Sequence, residues 1–237
     1  MKKYELILDD TIRIAKEGEL EPFCKLFRVR ALIDFADVKA GDLGGFIQSE
    51  KNLSHDGNAW VYDNAKVYDN AKVYGDAEVY GNATVFGNAE VYGNAEVYGN
   101  AKVYGNAWVY DTAKVYEYAE VYGNAEVYDN AWVYDTAKVY EYAEVYGNAT
   151  VSGVAEVCGD ARIKSQKDYI VFKNSWSSFR WFTYTKSNKM WKVGCFYGTG
   201  QELIEKAYAD SENSGNHYKA YVDLVETLEQ LNEERHV

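Results

Sequence analysis

The chain has 237 residues, of which 47% are hydrophobic, enough to bury a core in one or two domains. Its formal net charge is −12 and no segment is basic, which excludes nucleic-acid binding through a cationic footprint. It has neither a run of 18 apolar residues nor a charged-then-apolar leader, so no membrane span and no secretion are expected. Cys24, Cys158 and Cys195 are an odd, scattered set without a Cys-x-x-Cys pair. That usage suits a reducing cytoplasm and gives structural zinc no support; no metal and no cofactor are expected.

Residues 1–52 read as an N-terminal cap, with strands expected at 4–7 and 25–31 and the run GDLGGFI (41–47) leading into the first coils. His55 follows and reads as a surface residue of this cap.

Residues 53–166 read as a repeat domain, and from Ala59 to Arg162 the chain obeys a period of six. Alanine recurs from Ala59 to Ala161, eighteen times without a gap, and two residues after each stands Val61, Val67 and so on to Ile163. An aromatic follows each of the first fifteen valines, Tyr everywhere except Phe86; then come Gly or Asp and usually Asn. Ala-x-Val is period-two alternation, which puts Ala and Val on one face and x on the other. Gly/Asp-Asn is turn chemistry. The chain must therefore coil, with each short strand pairing to one a full coil away, about 4.8 Å along. This segment holds 7 basic and 17 acidic side chains, or −10.

Units such as Val79-Tyr80-Gly81-Asn82-Ala83-Thr84 resemble the hexapeptide-repeat family. The resemblance implies a left-handed parallel β-helix with three hexads per coil, hence about six regular coils from eighteen units. On that reading one face presents Trp60, Glu78, Glu96, Lys114, Trp132 and Thr150, a second runs from Lys66 to Glu156, and a third from Lys72 through Trp108 to Arg162. The stretch NAWVYDTAKVYEYAEVYGNA occurs at 106–125 and again at 130–149. A shift of four hexads on a three-hexad coil turns the second copy onto another face, so Trp108 and Trp132 are not equivalent. The tyrosine columns read as corner covers stacked coil on coil, or as platforms for sugars or a partner.

Residues 167–237 read as a small α+β domain. Strands are expected near 169–172, 180–185 and 190–197, with a turn at 186–189. Thr199-Gly200-Gln201-Glu202 fits a capping box opening a helix to about Asp210; Ser214-Gly215-Asn216 reads as its break, and a second helix is expected from about His217 to Glu234. Trp176, Trp181 and Trp191 read as core, with any left exposed serving as anchors. The loop 174–178 reads as ordered and functional.

The run 41–47, together with GCFYGT (194–199), looks like repeat-rich proteins of phages and prophages. That resemblance implies a phage or prophage setting and no particular activity; the role expected in that setting is a non-enzymatic binding or scaffold protein presenting its C-terminal domain to a bacterial host protein. The candidate partner-binding residues are Trp176, Trp181, Trp191, Tyr197, Trp60 and Trp132. A homodimer or homotrimer is compatible with this reading. Two alternatives stand: an acyl- or acetyltransferase, which the hexapeptide family suggests, and a self-associating rod. Against acyl transfer, none of the three histidines, His55, His217 and His236, lies inside the regular coils.

Overall fold

In a computed structural model of the chain, residues 2–15 and 23–233 are described. Two compact units divide it, Met1–Gln166 and Lys167–Val237.

The first unit opens with β1 (Tyr4–Ala15) and β2 (Phe23–Ala31), an antiparallel pair longer than the sequence suggests, and β3 (Leu43–Ile47) continues the sheet antiparallel to β2. β3 then pairs in parallel with Lys66–Val67, which joins the hairpin to a parallel β-solenoid. Every hexad contributes a two-residue rung, and each rung pairs with the rung eighteen residues on, as in Trp60↔Glu78, Lys66↔Thr84 and Lys72↔Glu90. Three hexads therefore make a coil, and the three faces are those the period implies. The coil from Phe46 to Ala65 adds a turn beyond the six regular ones. Its register is twenty residues at Ile47↔Val67 and still at Leu53↔Val73, beyond the 3-10 turn Glu50–Asn52, and becomes eighteen at Val61↔Val79, so the two extra residues lie between Leu53 and Val61.

The core is a column of repeat alanines and valines at 0–1% exposure. Each valine side chain contributes roughly 1.5–3 kcal/mol of transfer free energy, offset by chain ordering. Corners bend through the left-handed region, at Gly81 with φ 69° and at Asp69 with φ 58°. Glycine adopts it without strain. Acidic residues there are compensated: Asp63 Oδ2 accepts the Gly81 N–H at 3.0 Å, and Asp135 Oδ2 accepts the Gly153 N–H at 2.7 Å.

Within the stack each corner carbonyl accepts an N–H from the preceding coil, as Gly81 O does from Asn64. The corner carbonyls of Gly57, Asp63 and Asp69, at the first regular coil, show no such backbone donor, and three side chains replace it. Lys3 Nζ donates to Gly57 O (3.1 Å) and Ala59 O (2.8 Å); Asn52 Nδ2 donates to Asp69 O (3.1 Å) and Ala71 O (2.9 Å). At the third corner Arg28 Nη1 donates to Asp63 O at 3.3 Å. Lys3 and Asn52 are buried for this purpose, which protects the exposed strand edge.

The second unit is a four-stranded antiparallel meander, Tyr169–Lys173, Trp181–Thr185, Met190–Val193 and Phe196–Gly198, packed on α1 (Gly200–Asp210) and α2 (Glu212–Glu233). The capping box is present: Thr199 Oγ1 accepts the Glu202 N–H and Glu202 Oε2 accepts the Thr199 N–H. The helix break is not at Ser214-Gly215-Asn216, which lies inside α2, but at Ser211. Ser211 is extended, and its Oγ accepts the Ser214 N–H at 3.1 Å, so α2 starts one turn early. Gly215 serves packing: a Cβ there would stand 2.1 Å from the Tyr208 ring of α1. The expected helix end at Glu234, like His236, lies outside the described residues. No helix among the described residues is long and apolar enough to cross a membrane.

Candidate functional site

The tyrosines that follow the rung valines stack in columns along the prism. Successive rings in the Tyr80–Tyr98–Tyr116–Tyr134 and Tyr74–Tyr92–Tyr110–Tyr128–Tyr146 columns lie 4.6–5.2 Å apart with planes within 8°. Each such ring covers its neighbour's face, leaving edges outward, so the columns offer no open face to a sugar. Many hydroxyl tips are engaged as well: Tyr74, Tyr80 and Tyr110 donate to Glu90, Glu96 and Glu126 at 2.7–2.9 Å. Burial, reinforced by neighbouring carboxylates (Glu78 at Tyr62, Glu144 at Tyr128, Glu96 at Tyr80), pushes the phenols up, Tyr62 and Tyr128 to about 12 and Tyr80 further.

The six candidate residues separate by burial. Trp60 occupies an outward position of its hexad yet is 1% exposed, because Tyr4 and Phe35 fold over the first coil and meet its ring edge-on at 6.0 and 5.3 Å. It is core, not a surface anchor. Trp191 is also core, among Phe182, Tyr184, Leu203 and Val222. Trp176, Trp181, Trp132 and Tyr197 remain exposed, the Tyr197 hydroxyl accepting from Asn188 Nδ2.

Trp132 stands over a groove of about 420 Å³ that it forms with Thr112, Lys114, Asn130, Asn148 and Thr150. The coil geometry builds it. Lys114, Trp132 and Thr150 are successive rungs of one face, and Thr112, Asn130 and Asn148 form the corner column beside them. Trp132 is 44% exposed, with the Tyr116 ring edge-on at 6.4 Å. The Thr112 hydroxyl lies 2.6 Å from Asn130 Oδ1, and Asn130 Nδ2 donates to Asn148 Oδ1 at 3.4 Å. Lys114 is neutralised by Glu96 at 2.7 Å. The duplicate, Trp108, sits between Glu90 and Glu126 instead. Lys72 neutralises Glu90 at 2.9 Å, so one copy of the repeat has a near-neutral polar setting while the other keeps the Glu126 carboxylate beside its indole. The corner residues of this groove could have been found from the eighteen-residue spacing, which brings 112, 130 and 148 into one column.

His55 is not poised as a general base. Its ring stacks on Tyr4 at 4.2 Å, Nδ1 accepts the Lys3 N–H at 3.3 Å, and Nε2 faces Glu50 Oε2 at 3.5 Å. Nδ1 is engaged by the cap, and Nε2 is buried there without a hydrogen bond. Among the described residues no three His, Cys, Asp or Glu side chains converge as a metal site.

Residues 77–93 match the model of the YdcK beta solenoid repeat. The chain is also 36% identical over 63 residues to a protein of Escherichia coli (strain K12) named uncharacterized acetyltransferase YdcK; the match takes in 27% of this chain and 19% of the relative's length. These likenesses agree with the β-solenoid. They overturn the expected phage-type role of presenting the end domain to a host protein, because the relative they reach is a bacterial protein named for acetyl transfer.

Proposed function

We propose that the solenoid binds a neutral oligosaccharide along the face that carries Trp132. The observation that carries this reading is the groove itself: an exposed indole bordered by amide and hydroxyl side chains, in a segment whose net charge is −10. An apolar ring face suits the C–H face of a pyranose, and Asn130, Asn148, Thr112 and Thr150 supply donors and acceptors for its hydroxyls. The surrounding acidic field opposes an anionic ligand, which favours an uncharged sugar. One aromatic platform with a few shared hydrogen bonds supports a weak complex, about 4–6 kcal/mol, or millimolar to tens of micromolar.

Calorimetric titration of the chain with a panel of neutral oligosaccharides tests it. At least one should bind, Trp132→Ala should remove binding, and Trp108→Ala should leave it. Silence across the panel, or equal loss with Trp108→Ala, sinks the reading.

A second reading, acyl transfer, is favoured by the name of the E. coli relative. It predicts that coenzyme A binds. The bond from the Lys3 N–H to His55 Nδ1 and the burial of Nε2 in the cap weigh against it, since a base must reach its substrate.

A further inference from the structure

The loop after Lys173 in the second unit fixes an indole in solvent. Asn174 is fully buried; its Oδ1 accepts the N–H of Trp176 and of Ser177, each at 3.1 Å, and its Nδ2 donates to Ser177 Oγ at 2.9 Å and Ser178 Oγ at 3.2 Å. Both ends of a buried amide are thus spent on holding this loop, whose most prominent side chain is Trp176, 75% exposed. Folding gains little from an indole left in water, whereas a ligand gains from a platform already ordered.

Facing Trp176 are His217, Ala220, Tyr221 and Leu224 of α2, and together they bound a groove of about 400 Å³. That is within the range of small-molecule sites. The two walls are tied: the Tyr221 hydroxyl donates to Lys173 O, at the start of the loop, at 3.2 Å. His217 is oriented too. Its Nδ1 lies 2.7 Å from the carbonyl oxygen of Asn213, one turn earlier. A carbonyl only accepts, so Nδ1 carries a proton, and in that tautomer Nε2 is the ring's acceptor. The groove combines an indole plane, an apolar floor and one fixed acceptor.

We propose that this groove binds a planar aromatic molecule bearing one hydrogen-bond donor, of the phenol or indole class, its ring on Trp176 and its donor on His217 Nε2. It is a site separate from the Trp132 face and does not depend on that face binding sugar.

The test uses the full chain with phenol and toluene as probes, followed by chemical-shift titration of the tryptophan indole N–H signals. Phenol should bind about five- to tenfold tighter than toluene, the difference one added hydrogen bond makes. The largest shift should fall on the Trp176 signal, assigned by its loss in Trp176→Ala. His217→Phe should abolish the preference for phenol while retaining toluene. The phenol–toluene contrast is read on the unmodified chain and needs no variant to fold. Equal affinity for the two probes, or shifts that spare Trp176, overturns the proposal. So does a groove closed by a second copy of the chain, seen as Trp176-dependent dimers in sedimentation that exclude phenol.

Discussion

The hydroxyl of Tyr80 donates to the carboxylate of Glu96 at 2.7 Å, across sixteen residues and one coil. The same relation joins Tyr74 to Glu90 and Tyr128 to Glu144, so ring columns and carboxylate rows form one fabric on the prism surface. Its pH dependence follows in sign. The folded chain holds these phenolic protons more tightly than the unfolded chain, where tyrosine titrates near 10. That stabilisation is complete below pH 10 and is lost as pH rises through about 12, the value of Tyr62, Tyr116, Tyr122 and Tyr128. Melting temperatures in an alkaline series should fall steeply across that window, with phenolate absorbance and loss of circular dichroism rising together. Ionisation of the phenols near pH 10 in a chain that stays folded contradicts this.

Lys3 yields a prediction at the solenoid's first coil. Its ammonium bonds two carbonyls and lies 4.7 Å over the Phe35 ring. Lys3→Met should cost about 2–3 kcal/mol in urea denaturation, because two buried acceptors lose a charged donor. Burial, opposed by Asp56 and Asp76, holds the Lys3 ammonium down at about 8 against an ordinary 10.5. Between those values the unfolded chain binds a proton that the folded chain releases. Native Lys3 should therefore gain stability relative to Lys3→Met as pH rises from 8 to 10.5. A constant difference across the window counts against a buried ammonium.

Gly215 sets helix propensity against packing. Alanine in mid-helix is worth up to about 1 kcal/mol over glycine. A Cβ at Gly215, however, meets Tyr208 Cδ1 at 2.1 Å, and Tyr208 is held by its hydroxyl bond to Asn216 Oδ1 at 2.8 Å. The clash should win, with Gly215→Ala destabilising by about 1–2 kcal/mol. In a Tyr208→Ala background the same change should stabilise by about 0.5–1 kcal/mol. A double-mutant cycle in urea measures the reversal; additive effects leave the packing argument without support.

These residues also mark where the sequence was legible. The repeat specifies its own neighbours, so period six with three hexads per coil assigned every rung to its face, and the Thr199–Glu202 box placed α1. What escaped was set by contacts distant in sequence. Trp60 shares the outward hexad position of Trp132, but Tyr4 and Phe35 close over it. Ser214-Gly215-Asn216 has turn chemistry, yet contact with Tyr208 recruits it into a helix. The Trp132 groove depends on corner residues from three coils, and a reading confined to outward rung positions passes over them.

The last prediction concerns two glutamates in one conformation. Glu117 and Glu141 adopt φ of 59° and 62° at corners where glycine or aspartate otherwise stands. For a residue with a Cβ this region costs about 1–2 kcal/mol, and glycine removes the strain while adding unfolded-state entropy. Their neighbours differ. Glu141 Oε2 accepts the Gly159 N–H at 2.7 Å, so Glu141→Gly trades strain for a lost hydrogen bond and should be close to neutral. Glu117 likewise has a backbone hydrogen bond from Asp135, but the Asp135 side chain, by hydrogen bonding first, with desolvation and like charge adding to it, raises the Glu117 carboxyl above its ordinary value. A raised folded value means a contribution present at acid pH and lost as pH rises, so at neutral pH the two carboxylates oppose each other. Glu117→Gly should therefore raise the melting temperature at about pH 7, and by less at about pH 4, where protonation already relieves the pair. Equal behaviour of the two variants at both pH values indicates that backbone strain alone governs these corners.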